Sequence, residues 1–264
     1  MLSSRRDVAV IPALNGLTAV LVIDNSSSNV LSFSFPARVD EGYSFNLNNG
    51  LVGIGGNNAR AKIDNVKVQV LPPTITFQDT EWFTDNVANL LTGAQNGQWS
   101  VSGNRDSGTP DASAGFASSN SGIALATSSV LLFDATVRAG ANGTSAGVVF
   151  DYYDSVNFKY AAIVAGTNQV VIGHHTKSGW AIDASVTKTI TPATDYILSL
   201  SLKGTTVSVL LNPSTAAVGQ AEAAVGYLFN AVVVDGQAGL FTRGGVSSFA
   251  SYKYKTDDLQ FIQP

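Results

Sequence analysis

The chain of 264 residues has no cysteine, only two histidines and only three glutamates. Without cysteine, neither a disulfide-stapled scaffold nor a thiolate zinc site can form. Charge is scarce: charged residues make up 13% and the net charge is −4, against roughly 25% charged residues in an average domain. The pI is about 5.0 and the basic residues do not cluster beyond Arg5 and Arg6, which excludes nucleic acid as a partner.

Long hydrophobic runs are also missing. The most apolar stretch, Val8 to Ile23, is interrupted by Pro12, Asn15 and Gly16 and is shorter than the roughly 20 residues of a membrane span. We therefore predict no membrane insertion. The first residues show no apolar core and cleavage site of a signal peptide, and we interpret the start as a cut inside a longer protein.

Alternation with a period of two dominates what is present. Leu198, Leu200 and Leu202 alternate with serines, and Val207 and Val209 follow after a turn at 203–205. This pattern predicts a β-hairpin with one apolar face and one hydroxyl face.

Similar alternation predicts seven further strands, and turn residues separate them. They are Val130–Arg138, Ala146–Tyr152, Phe158–Ala165, Val170–His174, Trp180–Val186, Ala238–Thr242 and Ser248–Lys255. Only Trp82–Leu91 has apolar residues near helical spacing, so we predict one short helix there, with Thr80 as its cap. One helix among many strands indicates an all-β, antiparallel two-sheet sandwich.

A faint internal repeat divides the chain. Gly50–Ile54 is echoed 186 residues later by Gly236–Leu240, and the alternation continues in step after both. We place the boundary at Leu71-Pro72-Pro73, because two prolines end a strand and stiffen a linker. The prediction is a partial or split β-sandwich segment over 1–72 and a complete jelly-roll sandwich over 73–264. A single continuous sandwich is the alternative.

Three stretches carry a family resemblance. They read SAGVVFDYYDSVNFKYAAI from Ser145, NQVVIGH from Asn168 with Gly179-Trp180 after it, and DYILSLSLKGTTVSV from Asp195. Together they resemble concanavalin A-like, laminin-G-like jelly-roll modules of large repetitive bacterial surface proteins, including RTX-type adhesins. The resemblance implies an extracellular module on the bacterial cell surface, working beside neighbouring domains of the same chain. Because this fold hosts lectins, glycosidases and inert spacers, it does not select a function.

The resemblance also implies a calcium site, with a last-strand aspartate and an acidic group near the first strand as ligands. Asp64 fits the first position in the first segment, whereas Ala250 replaces that aspartate in the second. Asp79, with Glu81 nearby, fits the first-strand position of the second segment. A second departure from the family is the long connection Asn212–Ala224. Asp64 and Asp79 are the candidate calcium ligands. Ala250 argues against an ion in the second segment, and a plain strand-edge turn at Asp64 is the alternative in the first.

Sugar recognition requires an aromatic surface beside amide or carboxylate groups, because a sugar presents an apolar face ringed by hydroxyls. Trp82 and Trp99 have more apolar neighbours and are expected in the core. The best ligand-binding set lies on neighbouring strands and turns; core packing of the tryptophan is the alternative. Its members are Trp180, Tyr152, Tyr153, His175 and Asn157.

The sequence contains few residue patterns typical of catalytic sites. No Glu-x-Asp-x-Glu motif of a glycosidase occurs, and the closest aspartates, Asp151 and Asp154, fit hydrogen bonding within a tight turn. Consecutive strand residues point to opposite faces, so His174 and His175 cannot share one metal ion; we expect one to be packed or hydrogen-bonded and the other exposed.

We therefore expect a non-catalytic, monomeric spacer or scaffold module of a large adhesin. A weak glycan- or peptide-binding module is the second hypothesis, and a glycosidase-like enzyme is the third.

Overall fold

The computed structural model describes side chains in 75–88, 92–212 and 223–261, and backbone alone at Pro213 and in five strands of the first segment. The chain divides into two compact units, Met1–Pro72 and Pro73–Pro264. In the described residues, no helix has the length and apolar character needed to cross a membrane.

The first unit contains two small antiparallel sheets. One has three strands in the order β1 (Val8–Pro12), β2 (Thr18–Ile23) and β3 (Val30–Ser34); the other pairs β4 (Arg38–Asp40) with β5 (Tyr43–Phe45). β2 reads Thr-Ala-Val-Leu-Val-Ile, a run rich in β-branched residues that suit an extended backbone.

The second unit is built from fifteen described strands. They are β6 (Phe77–Glu81), β7 (Thr92–Asn96), β8 (Gln98–Ser102), β9 (Arg105–Thr109), β10 (Phe116–Ser121), β11 (Val130–Ala139), β12 (Ser145–Asp154), β13 (Asn157–Val164), β14 (Gln169–Thr176), β15 (Gly179–Thr187), β16 (Tyr196–Lys203), β17 (Thr206–Pro213), β18 (Ala223–Leu228), β19 (Gln237–Arg243) and β20 (Ser247–Thr256). A 3₁₀ turn over Leu259–Phe261 follows them.

These strands form a two-sheet antiparallel sandwich. The seven-stranded sheet has the order β15-β14-β13-β12-β19-β10-β7, and the eight-stranded sheet has the order β18-β17-β16-β11-β20-β9-β8, with β6 also paired to β20. The predicted all-β sandwich is confirmed. Each of the seven strands predicted from alternation begins and ends within two residues of the bounds of an observed strand.

The hairpin of β16 and β17 shows how alternation determines burial. Leu198, Leu200 and Leu202 are buried, whereas the serines between them face the other way. The two strands pair from Tyr196 with Pro213 down to Lys203 with Thr206. Gly204 adopts φ +55° in the turn, a conformation that costs glycine little. The predicted apolar and hydroxyl faces are both confirmed.

The main core lies between the two sheets. Inward-facing side chains of β11, β16 and β20 pack against those of β12, β13 and β14. Its largest fully buried members include Phe133, Phe150, Phe249, Tyr252 and Tyr254. Trp99 packs on Phe249 with ring centroids 5.7 Å apart, so its expected place at the core is confirmed.

The prediction of a helix over Trp82–Leu91 is wrong for the residues that are described, 82–88. Phe83 has φ +53°, which a right-handed helix cannot contain. The Glu81 Oε1 atom accepts hydrogen bonds from the backbone N–H groups of Trp82 and Phe83, at 2.8 Å each. This turn sends Phe83 into the core and leaves Trp82 62% exposed, so the expected burial of Trp82 is also wrong.

A charged network links the ends of four central strands of the eight-stranded sheet. Arg105 and Arg138 each donate two hydrogen bonds to the Asp195 carboxylate, at 2.7–3.2 Å. Arg105 also donates to the Ser248 hydroxyl at 2.8 Å. The carboxylate therefore links β9, β11 and β20 to the start of β16.

Replacing Asp195 should weaken the fold in a pH-dependent way. Burial by itself raises the pKa of Asp195, but the hydrogen bonds and charges of Arg138 and Arg105 outweigh it and leave the pKa below its ordinary value. The stabilisation is therefore present above the unfolded-state pKa and is lost as the pH falls through the folded-state pKa. We expect Asp195→Ala to cost about 1–3 kcal/mol at pH 7 by urea unfolding. An equal loss at pH 7 and pH 2.5 would contradict this.

Asp106 should show the opposite pH dependence. Its side chain is 2% exposed, and desolvation chiefly, with a smaller contribution from the charge of Glu81, raises its pKa from 3.8 to about 6. Because the folded state disfavours the carboxylate, stability falls as the pH rises from the unfolded-state pKa through about 6. Asp106→Asn should therefore add about 2–3 kcal/mol at pH 8 and little at pH 4, measured by urea unfolding. Parallel pH profiles for both proteins would refute the assignment.

Candidate functional site

A second apolar cluster lies on the outer face of the seven-stranded sheet, the face turned away from the main core. It is built by strand residues whose chain neighbours point inward: Phe241 follows the core residue Leu240 on β19, and Tyr160 precedes Ala161 on β13. We call it the outer aromatic cluster. Its rings are those of Phe116, Tyr152, Phe158, Tyr160, Trp180 and Phe241.

The cluster requires the sheet to curve. Phe116 on β10 and Phe158 on β13 are separated by β19 and β12, which corresponds to about 14 Å in a flat sheet with strands roughly 4.8 Å apart. Their ring centroids are only 5.0 Å apart. The outer face is therefore concave, and its own side chains fill the concavity.

Trp180 covers this cluster. Its ring meets the rings of Phe116, Phe158 and Tyr160 nearly edge-on, with centroids 5.6, 5.5 and 5.4 Å away, the geometry that aromatic pairs prefer. The rings beneath it are almost fully buried, whereas Trp180 itself is half-buried. One part of the indole therefore packs, and the rest faces solvent.

Arg243 and His175 flank the indole. The guanidinium carbon of Arg243 lies 4.2 Å from the centroid of the Trp180 ring, within the range of a cation–π contact. His175 is directly opposite Trp180 across β14 and β15, with ring centroids 4.3 Å apart. Burial lowers the pKa of His175, and the charge of Arg243 lowers it further. At neutral pH, Arg243 is therefore the charged member of this group and His175 is uncharged.

Three of the five predicted ligand-binding residues come together here. Trp180 and His175 are in contact, and Tyr152 joins them through Phe158, with centroids 5.5 Å apart. Tyr152 is buried, and its hydroxyl accepts a hydrogen bond from Asn96 at 2.8 Å. Its contribution is therefore support from beneath rather than an exposed contact.

The other two predicted residues lie elsewhere. Tyr153 points away from the cluster and donates a hydrogen bond to Asp235 at 3.1 Å. Asn157 is exposed in the turn between β12 and β13, where it pairs with Asp154. The separation follows from alternation, because Tyr152 and Tyr153 are consecutive and face opposite sides of the sheet. A ligand-binding role for any of the five stays a prediction.

Asp79, one of the two predicted calcium ligands, lies on β6. The Tyr252 hydroxyl donates a hydrogen bond to its carboxylate at 3.2 Å. Within 75–88, 92–212 and 223–261, no three histidine, aspartate or glutamate side chains group in a way that would hold a metal ion. Asp64 lies outside the described residues. Calcium therefore stays a prediction.

The two histidines face opposite sides of β14, as expected. His174 Nδ1 lies 2.8 Å from a carboxylate oxygen of Asp183, which agrees with the prediction of one hydrogen-bonded imidazole. The expectation that the other is exposed is wrong: His175 packs against Phe158 and Trp180. The reason is the strand register, since Phe158 on β13 and Trp180 on β15 lie directly opposite His175, and large side chains in such cross-strand positions pack against each other.

Three aspartates among the described residues were considered for hydrolysis, and each is engaged or buried. Asp151 is 2% exposed and pairs with Lys159, while Asp154 accepts the backbone N–H of Val156 at 2.8 Å, which confirms the turn expected there. Burial, and to a smaller extent the charge of Glu81, raises the pKa of Asp106, but its side chain lies inside the sandwich. A glycosidase needs two carboxyl groups open to the sugar.

Sequence reasoning missed Arg243, Phe116 and Phe241. Alternation predicts that Phe241 and Arg243 share a face of β19. It does not tell which strand lies opposite, and Phe116 belongs to a strand, Phe-Ala-Ser-Ser-Asn-Ser, without the β-branched residues that mark strands in sequence.

Comparison with protein-family profiles finds no match, and neither does comparison with curated proteins. Solved structures do match in fold. Basic winged bean lectin, solved with Tn-antigen, matches with a TM-score of 0.51 and 7% identity over 69% of this chain and 99% of that chain. The lectin UEA-II, solved with galactose, has a TM-score of 0.50 and 9% identity over 70% of this chain and 100% of its own.

An enzyme matches equally well. Xylan β-1,4-xylosidase from Bacillus halodurans C-125 has a TM-score of 0.51 and 11% identity, over 94% of this chain and 52% of that chain. At such identities the likeness is one of fold. The second unit is a jelly-roll sandwich like those of lectins, and the concanavalin A-like fold expected from the sequence is confirmed.

The environment of His175 is open to measurement by NMR. Because burial lowers its pKa, His175 should titrate below the ordinary value near 6.5. In Trp180→Ala, which removes the covering indole, we expect the pKa to rise. The His174→Gln variant assigns the two imidazole signals. An unchanged His175 titration in Trp180→Ala would show that the indole does not shield it.

Proposed function

We propose that this protein is a non-catalytic carbohydrate-binding module that holds sugar on the outer face of its seven-stranded sheet, at Trp180. One observation carries the proposal: the half-buried indole covers an aromatic cluster, with a guanidinium over part of its face and an imidazole beside it. A sugar offers a matching surface, apolar on the C–H face and polar around the rim.

Rigidity supports this role. Trp180 rests on rings that are themselves fully buried, so little side-chain freedom remains to be lost when a ligand binds. The fold agrees, because two lectins share it, one solved with Tn-antigen and one with galactose. A binding role without catalysis is supported by the burial of the Asp106 and Asp151 side chains, which keeps these carboxyl groups from reaching a glycosidic bond.

The spacer role in a large bacterial surface adhesin is compatible with this proposal. A module that binds glycan can also position its neighbours along an extracellular chain. Two compact units in succession favour such an arrangement, and scarce charge and absent cysteine suit a secreted repeat protein. We propose the binding role first, because the Trp180 surface gives it a specific location.

Replacing Trp180 tests the proposal. We expect Trp180→Ala to reduce glycan-array signals at least tenfold, since it removes the surface on which the sugar would stack. The same change should lower stability by about 2 kcal/mol, because the indole also packs on several rings. Binding is therefore measured well below the melting temperature, with far- and near-UV circular dichroism confirming the fold.

Trp82→Ala is the matched control. It removes a second indole, 62% exposed, from the turn that follows β6, away from the outer face. Retained signals in Trp82→Ala and lost signals in Trp180→Ala would support the site. Folded Trp180→Ala with wild-type array signals would overturn it, and no glycan signal from the wild-type protein would overturn carbohydrate binding altogether.

A further inference from the structure

Arg243 holds a positive charge that no described residue neutralises. Arg105 and Arg138 share the carboxylate of Asp195, and Lys159 pairs with Asp151. Within the described ranges, by contrast, no carboxylate lies within ion-pairing distance of the Arg243 guanidinium. The Arg243 guanidinium instead lies over the face of the Trp180 ring.

The carboxylates that approach this face already have partners. The charge of Asp183 contributes to raising the pKa of the Tyr160 hydroxyl. Both carboxylate oxygens of Asp183, however, lie within 3.0 Å of His174 Nδ1. The charge of Asp154 acts on the hydroxyl of Tyr152, but its carboxylate accepts the backbone N–H of Val156 at 2.8 Å. The guanidinium therefore keeps its five donor hydrogens free of carboxylate.

A half-buried cation without a counter-charge is unusual. Partial burial removes part of its hydration, and an indole face replaces only some of the lost stabilisation. Arginine presents a planar fork of donors that matches the two oxygens of a carboxylate. An arginine in this condition, beside an exposed part of an aromatic ring, is suited to a ligand that brings its own anion.

On the strength of the proposed function, we propose that the sugar held at Trp180 is acidic and that Arg243 binds its carboxylate. The ligand class is a glycan with uronic acid or other carboxylated sugar units. In this arrangement the exposed part of the indole contacts the C–H face of the sugar ring, and the Arg243 fork receives the carboxylate at its rim. The uncharged His175 adds an imidazole edge without a second positive charge.

The test compares acidic oligosaccharides with neutral versions of the same chains. The probes are oligomers of galacturonic acid, of glucuronic acid and of the uronic acids of alginate, together with a glycan ending in N-acetylneuraminic acid. Each is paired with its methyl ester, which keeps the sugar ring and removes the charge. Affinities are measured by isothermal titration calorimetry at low salt and again at 0.5 M sodium chloride.

We expect the wild-type protein to bind at least one acid tenfold or more tightly than its ester, with the preference shrinking at high salt. Arg243→Met should reduce the affinity for the acid at least tenfold and remove the preference. Arg243→Lys, which keeps the charge and loses the fork, should retain part of it. Lys203→Gln, a matched charge loss in the exposed turn of the other sheet, should leave the preference unchanged.

The outcomes separate the two proposals. Equal affinity for acids and esters, lost in Trp180→Ala and kept in Arg243→Met, would overturn the acidic ligand and leave carbohydrate binding standing. If Lys203→Gln and Arg243→Met weakened the affinity for the acid equally, the preference would follow from net charge alone. That result would overturn the role of Arg243. Failure of all neutral and acidic glycans would overturn both proposals.

Discussion

The seven-stranded sheet is apolar on both faces, and the remaining features of the second unit depend on how it buries them. Its inner face packs on the eight-stranded sheet in the ordinary way of a sandwich. Its outer face is buried differently, by curvature that brings rings from β10, β13, β15 and β19 into contact. Trp180 closes this second cluster, so the most exposed ring of the outer face is also held by several buried ones. The candidate site therefore results from the way the outer aromatic cluster is buried.

Two local features of the backbone shape the outer aromatic cluster. A Cβ atom at Gly173 would lie 2.5 Å from the hydroxyl oxygen of Tyr160, so glycine lets that ring lie flat on β14 and reach the carbonyl of Ala181 at 3.2 Å. Asp151, at φ +48°, interrupts the pairing of β12 with both neighbours. Such irregularities increase local twist and bend a strand, and here Phe150 faces the main core whereas Tyr152, two residues later, faces the outer cluster.

Much of the fold could be predicted because alternation is a local signal. The hairpin at Leu198–Val209 and seven other strands from Val130 onward follow directly from it. The strands β7, β9 and β10 could not be predicted, since Gly, Ser and Asn carry no strand preference and their burial comes from neighbours distant in sequence. The helix predicted over Trp82–Leu91 was wrong for a similar reason. Apolar residues at helical spacing also occur where a tight turn buries Phe83 and exposes Trp82.

The sequence by itself determined the fold class, the positions of nine strands and three members of the candidate site, Trp180, His175 and Tyr152. Each follows from residue type and from position on a strand. The tertiary structure alone decided that Arg243 lies over Trp180, that Phe116 meets Phe158, and that Tyr153 and Asn157 fall outside. The physical reason is that the period of a strand fixes which face a side chain occupies, whereas the curvature of the sheet, a property of all its strands together, fixes which distant side chains meet there.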